Sequence, residues 1–181
     1  RGHAQESVYG VLHFPFTIRN QVTASFSTLK ASVELREELL GHMRQFYSDA
    51  AEAASRSSIK AYVFGEEADQ ARGFHLAEML HRHEIDVYTL DKSIVVNGER
   101  FEVGKNYVVP TNQRQYKLIT ALFERRTSFQ DSLFYDVSAW TMPYAFNLPF
   151  AELGDRQFNS NLLGAAFTGT WEPAATLVGG E

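Results

Sequence analysis

The chain contains no cysteine among its 181 residues. This absence excludes thiolate nucleophiles, thiolate zinc ligands and disulfide bonds within the printed sequence, although it leaves the cellular compartment open. Proline is scarce, with five residues, and no apolar run approaches the roughly 20 residues that are needed to cross a bilayer. We therefore expect no membrane span, and any chemistry must rest on hydroxyl, carboxylate, amide, imidazole or aromatic side chains.

An excess of positive charge is missing as well. The sequence has 17 Lys and Arg against 22 Asp and Glu, which gives a formal net charge of −5. A nucleic-acid-binding surface neutralises phosphates with clustered Lys and Arg, so we expect no nucleic-acid partner. The hydrophobic fraction of 44% is that of a folded globular domain, and the length allows one domain with an appendage.

The N-terminal segment opens without methionine and without a charged-then-apolar signal segment, so we interpret the chain as a piece of a longer protein. Leu12, Phe14, Phe16 and Ile18 alternate with other residues, which predicts a strand over residues 11–18. Pro15 would restrict that strand to a sheet edge or an extended arm, because proline cannot donate a ladder hydrogen bond.

A helical period replaces the alternation after residue 21. Apolar residues then recur at spacings of three, four or seven, at Val22, Phe26, Leu29, Val33, Leu40, Met43 and Tyr47. This pattern predicts one amphipathic helix over residues 21–54, much longer than the average helix of about 11–12 residues. We expect this helix to pack across a sheet or against a neighbouring domain. Residues 1–57 are accordingly predicted to form the arm and helix, and residues 58–181 an α/β domain.

Within residues 58–181, strand patterns alternate with helix-length segments. Strands are predicted at residues 59–64, 85–90, 107–109 and 133–138, and helices at residues 66–83 and 116–126. This alternation is typical of a mainly parallel sheet with helices on both faces. Asn97-Gly98 between two short apolar runs predicts a β-hairpin over residues 94–103. The last 31 residues, 151–181, are predicted to be mostly loops, with strand pieces at 165–167 and 175–178.

The segment over residues 131–146 reads as a strand that turns sharply into a helix, whose first turn would hold Pro143. In a parallel α/β sheet such a turn lies at the carboxyl edge, where ligands bind. We therefore predict a ligand-binding site formed by Asn112, Tyr135, Ser138 and Trp140.

Catalytic and metal-binding roles are not expected for this chain. Ser138 is the only obvious nucleophile, so a serine-type hydrolase remains an alternative, but the glycines of G-x-S-x-G are missing and no His follows His83. His75 and Glu78 share a helix face, as some zinc ligands do. We interpret them, with His81 and His83, as a solvated helix end, because a third ligand from elsewhere is lacking.

Two segments resemble large bacterial zinc carboxypeptidases of the carboxypeptidase A type. Residues 1–40, from RGHAQESVYG to ASVELREELL, resemble the region just past the catalytic core. Residues 107–150, which include YVVPTNQRQY and DVSAWTMPYAF, resemble the domain after the peptidase, which is similar to class I glutamine amidotransferases of flavodoxin-like fold. The resemblance implies an upstream peptidase domain as partner, with zinc held there and not in this chain, and a periplasmic or secreted location.

The amidotransferase family carries a Cys at the strand-to-helix turn, followed by a His and a Glu. Here the turn reads Val137-Ser138-Ala139-Trp140, without cysteine and without any later His. The resemblance therefore implies a flavodoxin-like fold that has lost glutamine hydrolysis. We expect a non-catalytic accessory domain of a zinc carboxypeptidase, which packs on the peptidase or binds a ligand.

Overall fold

A computed structural model describes Gly10, residues 13–125 and residues 141–170. By its internal contacts the chain divides into two units, Arg1–Tyr47 and Ser48–Glu181, each of which is considered by itself. The domain boundary predicted after residue 57 stays a prediction.

Two helices, α1 (Phe14–Glu34) and α2 (Arg36–Arg56), replace the predicted arm and single long helix. The predicted strand over residues 11–18 is wrong from Phe14 onward, because those residues form the first turns of α1. Pro15 is the cause of the ambiguity: its fixed φ angle fits a first helical turn as well as an extended edge. Leu35 separates the two helices with a backbone of φ −99° and ψ 18°.

The second unit contains a five-stranded sheet, whose strands are β1 (Ile59–Phe64), β2 (Tyr88–Leu90), β5 (Tyr107–Pro110), β6 (Phe150–Gly154) and β7 (Leu163–Ala166). Their order across the sheet is β6-β1-β5-β2-β7, and every neighbouring pair is antiparallel. A separate hairpin is formed by β3 (Ile94–Val96) and β4 (Glu99–Phe101). Besides the C-terminal part of α2, this unit contains the helices α3 (Gln70–Arg82), α4 (Tyr116–Phe123) and α5 (Met142–Ala145), and a 3₁₀ turn at Ser160–Leu162.

The predicted flavodoxin-like parallel sheet is therefore wrong. Strands β1 and β2 do run in the same direction, as a strand-helix-strand pattern predicts, but β5 lies between them and is antiparallel to both. The hairpin of β3 and β4 precedes β5 in the chain and lets it return in the opposite direction. Strand order is set by such long-range pairing, which the local hydrophobic pattern does not encode.

The β3–β4 hairpin confirms the turn prediction, since Asn97 and Gly98 have φ angles of 52° and 87°. Strand β6 was missed, because Pro149 and Gly154 bound a short segment that reads as a loop. Strand β7 overlaps the strand piece predicted at residues 165–167, but it begins earlier, at Leu163, and ends at Ala166. The strands predicted at 133–138 and 175–178 lie outside the described residues.

The core is divided between the two faces of the sheet by the period of two along β1. Tyr62 and Phe64 pack with α3 and α4 on one face, whereas Ala61 and Val63 face the hairpin on the other. The helix side includes Leu76, Ala77, Leu80, Ile119 and Phe123, and the hairpin side includes Val96, Phe101, Val108 and Leu153. Helices α3 and α4 thus share one face, where helices on both faces were predicted.

Asn106 is a buried polar residue that fixes the loop ahead of β5. Its side-chain Oδ1 accepts a 2.6 Å hydrogen bond from the Glu102 amide, and its carbonyl accepts one of 2.8 Å from the Leu90 amide. Gly65 ends β1 beside it with a φ of +134°, and a Cβ there would lie 2.6 Å from the Asn106 amide nitrogen. The close approach therefore requires a glycine at position 65.

We predict that Gly65→Ala destabilises the second unit by about 1–3 kcal/mol, because the side chain would strain the backbone and displace Asn106. Urea denaturation followed by circular dichroism measures the change. Gly41→Ala in α2 is the matched control, since a Cβ there meets nothing within 4 Å. Equal stability of the Gly65→Ala variant and the wild type would contradict the assigned backbone geometry.

Candidate functional site

The most extensive candidate surface is a run of large apolar side chains along α1 and α2. We call it the α1–α2 face and define it by Val22, Phe26, Leu29, Val33, Leu39, Leu40, Met43 and Phe46. These side chains are 40–68% exposed, and no residue of α1, all of which the structure describes, is buried. Such a row is unusual, because amphipathic helices normally turn their apolar stripe toward a core.

The spacing of three and four residues places these side chains on one side of each helix. Across the Leu35 joint the amide of Leu35 still donates to Ala31, at 2.8 Å, and the amide of Leu39 to Leu35, at 2.9 Å. These i-to-i−4 bonds continue the helical path from α1 into α2.

Three hydroxyl side chains at the margin of the α1–α2 face are satisfied within α1 itself. Ser25 donates to the Gln21 carbonyl, Thr28 to the Ala24 carbonyl and Ser32 to the Thr28 carbonyl, at 2.8–2.9 Å. A polar group that is already hydrogen-bonded is far less costly to bury. This margin can therefore be covered by an apolar surface without leaving these donors unpaired.

The exposed apolar area is large enough for a specific interface. At about 150 Å² for a large side chain, the exposed fractions of the α1–α2 face amount to roughly 700 Å². The largest apolar patch of a typical monomer is about 300–600 Å², and a specific interface buries about 800 Å² on each partner. The surface is thus of the size that proteins use to bind one another.

The same helical spacing continues into the second unit, where Ala50 and Ala54 of α2 are buried, each 1% exposed. Alanine allows close packing there because it has the smallest apolar side chain. Along α2 the stripe therefore changes from large exposed residues to small buried ones.

A second candidate is a cavity of about 320 Å³ beside Arg125. The Arg125 Nη2 atom donates a 2.8 Å hydrogen bond to the Phe150 carbonyl, and its guanidinium carbon lies 4.2 Å from the centroid of the Phe150 ring. Tyr144, Asn97 and Glu99 also line the cavity. Stacking on the aromatic ring fixes the guanidinium in place.

A neighbouring cavity of about 460 Å³ lies over Tyr62, between β1, β6 and α4. Burial, followed by the nearby carboxylate of Glu152, raises the pKa of Tyr62 to about 12. Glu124 and Arg125 also line this cavity, so Arg125 borders both. Sequence reasoning missed Arg125, because a single arginine after a helix carries no pattern.

The predicted ligand-binding residues are not brought together by the structure. Tyr135, Ser138 and Trp140 lie outside the described residues, and Asn112 is exposed in the loop after β5. Because β1 and β5 are antiparallel, their carboxyl ends lie at opposite edges, so the shared carboxyl edge on which the prediction rested does not exist. Pro143 does occupy the first turn of a helix, α5, as predicted.

The loop that carries Asn112 is held by its neighbours instead. The buried Thr111 hydroxyl donates to the Ile59 carbonyl at 2.8 Å. The Gln113 side chain accepts from the Asp86 amide at 2.8 Å and donates to the Pro110 carbonyl at 2.7 Å. These contacts give the loop a structural role.

The histidines of α3 also form surface contacts. His75 Nδ1 lies 3.6 Å from Glu78 Oε2, while Arg82 donates to the other oxygen of Glu78 at 2.6 Å. The Arg82 hydrogen bond is the main cause that lowers the pKa of Glu78. In the part of the chain that the structure describes, no three His, Asp or Glu side chains are placed to share a metal ion.

Within residues 13–125 and 141–170, no helix combines the length and the apolar character that crossing a membrane requires. Comparisons of the chain with models of protein families, with characterised proteins and with solved structures found no match.

The raised pKa of Tyr62 predicts a loss of stability in alkali. The neutral form of Tyr62 is favoured in the folded protein, because its pKa there is about 12, against about 10 in the unfolded chain. The free energy of unfolding therefore keeps its full contribution from Tyr62 below about pH 10 and loses it as the pH rises toward about 12. Urea denaturation at pH values across this range should show a smaller fall for Tyr62→Phe than for the wild type. Tyr144→Phe is the control, since Tyr144 is exposed, and an unchanged slope in Tyr62→Phe would refute the assignment.

Proposed function

We propose that this chain is a non-catalytic accessory module of a zinc carboxypeptidase, and that its α1–α2 face packs on the peptidase domain of the same parent protein. The observation that carries the proposal is the exposed apolar row along both helices. Covering it would remove roughly 700 Å² of apolar surface from water, which is the main driving force of protein association.

The choice of the peptidase domain as the partner rests on the resemblance of residues 1–40 to the region just past the catalytic core. Residues 1–40 contain six of the eight residues that define the α1–α2 face. The apolar row would therefore begin close to where the chain leaves the peptidase domain. Zinc and the peptidase reaction belong to the partner in this proposal. A periplasmic or secreted location follows from the same resemblance.

By packing on the peptidase domain through α1 and α2, this chain would stabilise that domain or limit access to its catalytic cleft, without taking part in the reaction. The alternative is a stand-alone hydrolase that uses Ser138. No observation favours it, since Ser138 lies outside the described residues.

We predict that Leu29→Asp weakens binding to the separately produced peptidase domain by at least tenfold, because it places a charge within the apolar contact. Isothermal titration calorimetry measures the affinity. Gln45→Asp introduces the same charge on the polar side of α2 and should bind within about twofold of the wild type. Circular dichroism of each variant checks that the helices are retained.

Two outcomes would contradict this proposal. One is a wild-type chain that fails to bind the peptidase domain at micromolar concentration, and the other is an equal affinity of Leu29→Asp and the wild type.

A further prediction concerns the alternative. Ser138→Ala should leave the hydrolysis of ester and amide substrates by the purified chain at the background level of the wild type. Any hydrolytic activity of the wild type that this substitution abolishes would instead establish the serine hydrolase.

A further inference from the structure

The cavity of about 460 Å³ over Tyr62 contains a phenol that has no hydrogen-bond partner among the described residues. Tyr62 is only 2% exposed, and its ring stacks on that of Phe123 with the centroids 4.5 Å apart, so the direction of its hydroxyl is fixed. In the part of the chain that the structure describes, no side-chain nitrogen or oxygen is both fully buried and without a partner. The hydroxyl therefore opens into the cavity that Tyr62 lines, where a ligand can bond to it.

The carboxylate of Glu152 lies beside this phenol. Tyr62 and Glu152 are paired across β1 and β6, so the two side chains are on the same face of the sheet. This is the face that α3 and α4 cover, and Phe150, two residues earlier in β6, is buried there. Glu152 is nevertheless exposed, so its charge lies at the margin of the core, where it borders the cavity.

The carboxyl end of α4 adds to the negative potential. Glu124 directly follows α4, and its amide donates to the Thr120 carbonyl at 2.8 Å. Both residues line the cavity, and the carbonyl groups at the end of a helix favour cations. After burial itself, the carboxylates of Glu152 and Glu124 are among the causes that raise the pKa of Tyr62. The charges that act on the phenol are thus negative, and they favour a cation as the ligand.

Arg125 also lines the cavity, but the two carboxylates outnumber it. Its guanidinium is already engaged, because it donates to the Phe150 carbonyl at 2.8 Å and lies 4.2 Å from the centroid of the Phe150 ring. An anion would therefore be repelled by more charges than attract it.

The kind of cation follows from the acceptors. Within residues 13–125 and 141–170, no three His, Asp or Glu side chains are placed to hold a metal ion. A primary ammonium group carries three N–H donors, for which a phenol oxygen and a carboxylate are both acceptors. Ile59 and Ala121 line the same cavity and offer apolar surface to the carbon chain of such a ligand.

We propose that the cavity over Tyr62 binds a primary alkylammonium group, which donates hydrogen bonds to the phenol oxygen of Tyr62 and to the carboxylate of Glu152. The group belongs to a free amine or to a lysine side chain, which share this chemistry. The proposal goes beyond the accessory role described above and does not involve the α1–α2 face, so the failure of either proposal leaves the other standing.

The test titrates n-butylammonium into the full, isotope-labelled chain at neutral pH and follows the backbone amide resonances by NMR. We expect saturable shifts around the cavity and a dissociation constant that rises with the NaCl concentration. Tyr62→Phe and Glu152→Gln should each raise the dissociation constant by about three- to tenfold, because each removes a hydrogen bond to the cation. Glu99→Gln is the control, since it removes the same charge from the neighbouring cavity beside Arg125 and should leave the constant unchanged.

Nα-acetyl-lysine amide identifies the source of the ammonium group. A higher affinity for it than for n-butylammonium would support a lysine side chain as the ligand, and an equal or lower affinity would support a free amine. n-Butanol lacks the charge and should not bind. The proposal would be overturned if neither amine bound saturably, if n-butanol bound as well as n-butylammonium, or if either Tyr62→Phe or Glu152→Gln left the dissociation constant unchanged.

Discussion

The double pairing of β1 is the interaction on which the rest of the second unit depends. This strand forms backbone hydrogen bonds with β5 on one side and β6 on the other, and its alternating side chains divide the core. Tyr62 and Phe64 thereby require the helices α3 and α4 on their face, while Ala61 and Val63 leave room for the hairpin. The placement of Gly65 beside Asn106 follows, because Phe64 at the end of β1 pairs with Tyr107 at the start of the antiparallel β5.

The local pattern of the sequence predicted β1 and the β3–β4 hairpin, since alternation and Asn97-Gly98 are short-range signals. The same local pattern did not predict the order of the strands, because no local feature indicates that β5 lies between β1 and β2. The prediction of an extended N-terminal arm was wrong for a different reason. Phe14, Phe16 and Ile18 alternate with other residues by chance, whereas helix α1 already begins at Phe14. Long-range pairing and overlapping periods were thus the two sources of error.

The candidate site shows the same division. The residues of the α1–α2 face were visible as a helical stripe, but the stripe alone predicts burial, and only the structure places Phe26 and Leu29 in solvent. Conversely, the site predicted around Asn112 depended on a parallel sheet and had no basis once β5 proved antiparallel.

Strand β6 lies at an edge of the sheet, where unpaired backbone groups are a template for pairing with other molecules. At one end of β6, Arg125 donates a hydrogen bond to the Phe150 carbonyl. At the other end, the Gln157 side chain accepts a hydrogen bond from the Gly154 amide. Glu152 adds an exposed charge between them. Among the residues that the structure describes, these side chains shorten the stretch of the β6 edge that another strand could pair with.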